Sequence, residues 1–131
     1  MSSEDRYLID SHKLHLHPER VAQWLAAGSN WVMQKKVYPI YVEISSSGSC
    51  NHRCTFCAVD YIGYKPIFPD LERLKDNISD MAEHGVKSIM FAGEGEPLLL
   101  KGIGGIVNHT KATGIDVAIT TNATTLSEQL A

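Results

Sequence analysis

The sequence predicts an α/β fold in which helices cover a parallel sheet. Three apolar runs, at 37–45, 86–92 and 115–120, are predicted strands, and the first is dominated by β-branched and aromatic residues. Two stretches with helical periodicity, at 70–85 and 98–113, separate these strands with short links. Strands that alternate with helices in this way imply a parallel sheet with right-handed crossovers.

Length and composition favour one globular domain. The chain has 131 residues, of which 44% are hydrophobic and 21% are charged, so it can bury a real core. A net charge of −3 gives no electrostatic footprint for nucleic acid or an anionic membrane. No apolar run is long enough to span a bilayer, and no signal-peptide core follows the polar residues 1–6. We therefore expect a reducing, cytoplasmic setting, which also keeps thiols free.

Residues 1–37 are predicted to form a polar leader and one helix. Three histidines of the leader support either a solvated segment or a metal site, although their spacing fits no single helical face: His12, His15 and His17. Pro18 opens the helix at a first-turn position, and Gly28 is its predicted end. Trp24 recurs at helical spacing with Val21 and Leu25, so we expect its side chain in the core.

Capping and breaking residues predict the other boundaries. Asp70 is the predicted N-cap and Gly85 the predicted stop of the helix after the first strand, with a core stripe of Leu71, Leu74, Ile78 and Met81. The helix at 98–113 contains several glycines, so packing must hold it through Leu99, Ile103, Ile106 and Val107. A last helix is predicted from Leu126, and the segments 30–36 and 60–69 are predicted connectors.

All three cysteines of the chain lie in one loop after the first strand. Cys50, Cys54 and Cys57 have the spacing C-x3-C-x2-C, and the small residues 45–49 form a predicted flexible approach to them. Three thiolates on one loop suit a soft metal centre and can hold three irons of a [4Fe-4S] cluster, which leaves the fourth iron open. The alternative is a zinc site with His52 or a distant histidine as the fourth ligand.

Two further motifs follow the second and third strands. Gly93-Glu94-Gly95-Glu96-Pro97 is a glycine-rich turn, and Thr121-Asn122-Ala123 follows the third strand. Their simplest interpretations are a surface turn and a helix N-cap. Ligands of parallel α/β folds bind beyond the carboxyl ends of the strands, and all three motifs lie at such ends. Glu43, inside the first strand, faces either solvent or a cavity.

The three motifs together resemble the signature of radical S-adenosylmethionine (radical SAM) enzymes. The cysteine spacing matches, with Phe56 as the aromatic residue before the third cysteine. The turn resembles the family's Gly-Gly-Glu-Pro motif, with Glu94 as a departure from it. The third stretch resembles the Thr-Asn-Gly element, with Ala123 in place of the usual glycine. The resemblance covers roughly residues 38–131, with the motifs in the right order.

The resemblance implies a cofactor pair and a reaction. A [4Fe-4S] cluster on the three cysteines would leave one iron to be chelated by the amino and carboxylate groups of SAM. Electron transfer would then cleave SAM to a 5′-deoxyadenosyl radical that abstracts hydrogen from a substrate. Phe56 would lie near the adenine, the glycine-rich turn would bind the methionine amino group, and Glu96 would supply a carboxylate. The implied SAM-binding residues are Phe56, Gly93, Glu94, Gly95, Glu96, Thr121 and Asn122.

The resemblance also implies a partial (βα) barrel of the radical SAM type. About three of its six βα units are present, in residues 38–131 after the N-terminal helix. The chain is then a fragment of a longer enzyme, a half-barrel that pairs with another chain, or a decayed relative; the fragment is the favoured hypothesis. The open edge of the third strand invites self-association.

The sequence is compatible with several partners and with two rival functions. The reaction needs a one-electron reductant such as flavodoxin or ferredoxin and a substrate that this sequence does not identify. Arg53, Tyr61, Tyr64 and Lys65 lie near the cysteine loop and could contact either one, but each is expected to be a surface residue. The rivals are a zinc- or cluster-binding module without turnover and an interaction protein that keeps only the fold.

Overall fold

The computed structural model describes residues 12–128, and within them the secondary structure alternates between strands and helices. Two short 3-10 turns occur at Leu14–Leu16 and Pro97–Leu99. The elements are α1 (Pro18–Ala27), α2 (Trp31–Gln34), β1 (Tyr41–Ser45), α3 (Ala58–Ile62), α4 (Leu71–Glu83), β2 (Ser88–Ala92), α5 (Ile103–Ala112) and β3 (Asp116–Ile119). Within residues 12–128, no helix combines the length and the hydrophobicity that a membrane span requires.

The three strands form one parallel sheet in the order β1-β2-β3. Tyr41 pairs with Ser88, and Ser88 pairs with Asp116, so the strands start in register at one edge and end together at the other. This arrangement confirms the predicted α/β fold with parallel strands. Because the three strands run parallel and in register, the loops that follow them all emerge at the same edge of the sheet.

Helices α4 and α5 cover one face of the sheet. The buried core joins both helices to β2 and its neighbours through Leu74, Ile78, Val86, Ile89, Phe91, Leu100, Ile103, Ile106 and Ile115. Each fully buried side chain of this size contributes about 1.5–3 kcal/mol of transfer free energy, so this layer is the main stabilising element. Val42 and Ile44 of β1 pack against it, and therefore Glu43 points to the opposite face, where it is exposed.

The boundaries of α4 are as predicted. The Asp70 side chain accepts a hydrogen bond from the backbone amide of Arg73 at 2.9 Å and so caps the helix. At the other end Gly85 takes a positive φ of 80°, and the amide of Val86 reaches back to the carbonyl of Met81 at 3.0 Å. This C-terminal cap uses the Val86 amide, which is why β2 begins at Ser88 and not at 86.

The strand predicted at 37–45 begins only at Tyr41. Pro39 has no amide hydrogen for a ladder, and the Arg20 side chain takes the carbonyl of Tyr38 as a hydrogen-bond acceptor. Arg20 also donates to the carbonyl of His84 at 2.9 Å, which ties α1 to the end of α4.

The helix predicted at 98–113 is shorter than expected. Gly102 adopts a left-handed conformation with φ of 89°, so the chain turns before α5 starts at Ile103. Ile103 and Ile106 are buried as predicted, whereas Leu99 ends the 3-10 turn outside the buried core. Leu98 and Leu100 pack in or against that core instead.

Several predictions about the less regular segments are wrong. Trp24 is 54% exposed and does not belong to the core, because Ala27 is the buried residue of α1. The connector at 30–36 contains α2, capped by the Asn30 side chain, and α3 extends into the loop predicted at 60–69. Residues 126–128 are not helical, and the rest of the predicted last helix, 129–131, lies outside the described residues.

The histidine-rich segment shows no metal site in the described residues. No group of three or more His, Cys, Asp or Glu side chains within 12–128 is arranged to hold a metal ion. His12 instead contacts the Asp116 carboxylate at 3.2 Å across the start of β3. Lys111 reaches the same carboxylate at 2.7 Å, and this pairing, together with the His12 contact, lowers the pKa of Asp116.

Ala123 carries the only positive φ of a non-glycine residue in the described chain, at 60°. The left-handed region costs an alanine about 1–2 kcal/mol, partly offset by the greater flexibility of glycine in the unfolded state. We expect Ala123→Gly to raise the free energy of unfolding by about 0.5–1 kcal/mol, measured by urea denaturation.

Ala22 provides the matched control, because it is an exposed alanine inside α1. Ala22→Gly should lower the free energy of unfolding by about 0.5–1 kcal/mol. Equal destabilisation by both glycine substitutions would contradict the strain assigned to Ala123.

Candidate functional site

The candidate site lies at the carboxyl edge of the sheet, where the loops after all three strands meet. The loop after β1 carries the cysteines, the loop after β2 carries the glycine-rich turn, and the loop after β3 carries Thr121 and Asn122. Because the strands run parallel and in register, these loops emerge side by side. The sheet therefore brings together three segments that are up to about 70 residues apart in the sequence.

The three cysteines are partly exposed free thiols. The amide of Cys57 donates to the carbonyl of Cys54 at 2.9 Å, and the amide of His52 points at the Cys50 sulfur at 3.4 Å. The loop therefore places all three thiols on one short turn. Their sulfur atoms are not already gathered around a common metal position in the described structure.

The approach to the cysteine loop is buried and tightly packed, so the prediction of a flexible segment is wrong. Ser46 and Ser47 are 0% and 2% exposed. The amide of Gly48 donates to the carbonyl of Ile67 at 2.8 Å, and a Cβ at Gly48 would lie 2.0 Å from the carbonyl oxygen of Lys65. This contact fixes the segment before the cysteines to the segment after them.

The glycine-rich turn packs directly on that approach. A Cβ at Gly95 would lie 2.3 Å from the carbonyl oxygens of both Ser47 and Ser49, a distance that no real side chain tolerates. Gly93 has a φ of 102°, and a Cβ there would lie 2.8 Å from that of Ser45. Both glycines are therefore required by the close approach of two backbones. The side chain of Glu94, by contrast, is exposed.

Glu96 is the buried polar centre of the site, with an exposure of 3%. Its Oε1 accepts from the Thr121 hydroxyl at 2.5 Å and from the Leu98 amide at 3.0 Å, and its Oε2 accepts from the Asn122 amide at 2.8 Å. Its own amide donates to the carbonyl of Ser49 at 2.8 Å. One residue thus joins all three strand ends.

No lysine, arginine or histidine of residues 12–128 is seen in an ion pair with Glu96. Three hydrogen-bond donors offset part of the cost of burying this carboxylate. A carboxylate offers about four lone-pair positions, so capacity for one more donor remains on Oε2.

Asn122 connects the third strand to the cysteine loop through a closed ring of hydrogen bonds. Its side-chain amide donates to Asn51 Oδ1 at 2.9 Å, Asn51 Nδ2 donates to Thr124 Oγ1 at 2.7 Å, and the Thr124 hydroxyl donates back to Asn122 Oδ1 at 2.7 Å. The side-chain nitrogen of Asn122, Nδ2, also lies 4.0 Å from the Cys50 sulfur. Asn51 and Thr124 were not predicted as site residues, since an isolated asparagine and threonine carry no motif.

Tyr64 lies against the far end of the cysteine loop. Its hydroxyl is 3.3 Å from the Cys57 sulfur. This hydrogen bond, with a smaller contribution from the Asp60 backbone amide, lowers the pKa of Cys57. The same hydrogen bond, burial and the nearby Cys50 raise the pKa of Tyr64, which favours the protonated phenol. Tyr64 is half-buried, so the prediction that it is simply a surface residue is incomplete.

Phe56, the aromatic residue of the cysteine motif, faces solvent in the structure of residues 12–128. Phe56 is 90% exposed and Tyr61 is 94% exposed, so neither packs under the loop. Arg53 is exposed as predicted but pairs with Asp60 at 3.0 Å. An exposed phenylalanine next to the cysteines leaves its ring available to a ligand or to further chain.

The Glu96 contacts generate a stability prediction. Glu96→Gln replaces one acceptor oxygen with an NH2 group. Because donors face both oxygens of Glu96, at least one buried donor then loses its acceptor. We expect the free energy of unfolding to fall by about 1–3 kcal/mol, measured by urea denaturation.

Glu94→Gln is the matched control, since it makes the same chemical change two residues away on an exposed side chain. This control should change the stability by no more than about 0.5 kcal/mol. A Glu96→Gln protein as stable as the control would show that the Glu96 contacts do not hold the strand ends together.

The fold agrees with comparisons to known proteins. The chain is similar to the crystal structure of BtrN in complex with AdoMet and 2-DOIA, with a TM-score of 0.56, 24% sequence identity, and coverage of 70% of this chain and 39% of that chain. It is also similar to SeMet BtrN in an open conformation, with a TM-score of 0.53, 28% identity, and coverage of 69% and 42%.

The chain thus spans about two-fifths of the length of these structural neighbours. No curated protein matches the sequence. The sequence model of the family described as Radical SAM superfamily matches residues 44–131, which is more than half of the chain and includes all three motifs. The predicted resemblance is therefore confirmed, and the chain belongs to the radical SAM superfamily.

Proposed function

We propose that this chain is the N-terminal part of a radical SAM enzyme that holds a [4Fe-4S] cluster through Cys50, Cys54 and Cys57 and cleaves SAM reductively. The observation that carries the proposal is the set of contacts made by Glu96. Its buried carboxylate accepts hydrogen bonds from the loop after β3, and its backbone amide donates to the carbonyl of Ser49 in the cysteine approach. One buried residue thereby organises the three family motifs around a common edge. A structural turn on the surface would not need a carboxylate buried to 3% exposure.

The residues at this edge fit a cluster. Three free thiols on one exposed loop are soft ligands with access to solvent for assembly. Three thiolates leave one iron of a cubane without a protein ligand. When bound, such a cluster would supply the single electron that cleaves SAM to a 5′-deoxyadenosyl radical. A reducing, cytoplasmic compartment, which is part of this proposal, would keep the thiols free for it.

The remaining roles belong to the protein itself. The backbone of the Gly93–Gly95 turn and the free acceptor position on Glu96 would bind the ammonium group of the SAM methionine, an arrangement of opposite charges that shortens and strengthens hydrogen bonds. Exposed Phe56 would stack near the adenine. Thr121 and Asn122 would act by orienting Glu96, since both already donate to it. The solved BtrN structure contains AdoMet, which supports SAM as the cofactor of this similar fold.

Further parts of the enzyme are needed for a complete reaction. The chain spans about two-fifths of the length of its structural neighbours. We propose that residues outside these three units complete the SAM pocket and form the substrate site. A one-electron reductant such as flavodoxin or ferredoxin is part of the proposal. The exposed Glu43, on the sheet face opposite α4 and α5, would face the interior of the completed barrel.

Anaerobic reconstitution with iron and sulfide tests the proposal. We expect a reduced cluster whose electron paramagnetic resonance spectrum changes when SAM is added. Cys54→Ala should abolish assembly, because two thiolates cannot hold a cubane. The control is Thr55→Ala, an exposed neighbour on the same loop that should keep its iron content.

Three other outcomes would contradict the proposal. One bound zinc ion in place of iron would indicate a zinc-binding module. Unchanged iron in Cys54→Ala would exclude this cysteine as a ligand. No metal at all after anaerobic reconstitution would indicate an interaction protein that has kept only the fold.

Self-association through the exposed edge of β3 remains a further prediction. In the described sheet β3 pairs with β2 on one side, and its other side carries unpaired backbone groups. We expect the isolated chain to form dimers in light scattering, and a monomer at micromolar concentration would count against this edge as a contact.

A further inference from the structure

Tyr64 makes a contact that the proposed cofactor chemistry leaves unexplained. Its hydroxyl lies 3.3 Å from the sulfur of Cys57. In the free protein either atom can donate the proton. A cysteine that ligates iron is a thiolate without a proton, so in the loaded protein the tyrosine must be the donor.

Arg53 fixes the position of the tyrosine ring. Its guanidinium carbon lies 4.9 Å from the centre of the Tyr64 ring, a cation–π distance. The same guanidinium pairs with Asp60 at 3.0 Å and donates to the carbonyls of Cys50 and His52 at 3.1 and 2.9 Å. Arg53 therefore holds the ring while bonding to the backbone between the first two cysteines.

We propose that Tyr64 donates a hydrogen bond to the Cys57 sulfur ligand and thereby raises the reduction potential of the cluster, with Arg53 as the residue that positions its ring. This inference rests on the proposed function, since it concerns a cluster on these cysteines. It adds a tuning role for a residue outside the three family motifs.

The physical basis is the charge that the cluster gains on reduction. The added electron increases the negative charge on the sulfur atoms, so a hydrogen bond to sulfur stabilises the reduced state more than the oxidised one. Hydrogen bonds to charged groups contribute enough for about a tenfold change in an equilibrium constant. Loss of the hydroxyl should therefore make reduction harder.

A redox titration of the reconstituted protein, followed by electron paramagnetic resonance, tests the inference. Tyr64→Phe removes only the hydroxyl and leaves the ring under Arg53. We expect its cluster to be reduced about tenfold less favourably, which is a fall of about 59 mV for a one-electron couple. Tyr61→Phe is the matched control, because Tyr61 is 94% exposed and lies in the same segment, and its potential should not move.

Iron and sulfide content measured on each variant separates this inference from the proposed function. If the natural protein assembles no cluster, both fail. If all three proteins carry equal iron and the Tyr64→Phe potential equals that of Tyr61→Phe, the proposed function stands and the role of Tyr64 is overturned.

A second measurement keeps the inference testable if Tyr64→Phe does not assemble a cluster. Protein grown with 3-fluorotyrosine has hydroxyls that are stronger hydrogen-bond donors and rings of nearly the same size. Its cluster should have a higher potential than that of the natural protein. An unchanged or lower potential would overturn the role assigned to Tyr64.

Discussion

The buried carboxylate of Glu96 is the interaction on which the candidate site depends. A carboxylate removed from water costs several kcal/mol unless hydrogen bonds replace its hydration. Here the donors come from the Thr121 hydroxyl and the Asn122 and Leu98 amides. The cost is therefore offset only when the loop after β3 sits against the turn after β2. The hydrogen bonds that fold this edge therefore also place the motifs next to each other.

Two anchors hold the cysteine loop between these elements. At its start, the Asn51 side chain joins a closed ring of hydrogen bonds with Asn122 and Thr124. At its end, the Tyr64 hydroxyl contacts Cys57, and Arg53 lies over the tyrosine ring. The loop is thus fixed at both ends, while the thiols stay partly exposed. The proposed cluster would need both features, because its ligands must be held in place and one iron must remain accessible to SAM.

The sequence was sufficient for the features that depend on local patterns. Alternating apolar runs predicted the parallel sheet, Asp70 and Gly85 predicted α4, and the cysteine spacing with two strand-end motifs predicted the family. Features set by tertiary packing were not predictable. Trp24 has helical spacing but is 54% exposed. Tyr64 gained its partner only because the chain after α3 folds back onto the cysteine loop.

We propose above all that the three strand ends form one site with an iron open to SAM. Mössbauer spectroscopy of the protein reconstituted with iron-57 tests it most directly, because it resolves individual irons. We expect one iron of a cubane to change its isomer shift when SAM is added, while the other three, held by Cys50, Cys54 and Cys57, do not. Iron sites that remain equivalent in excess SAM would contradict it.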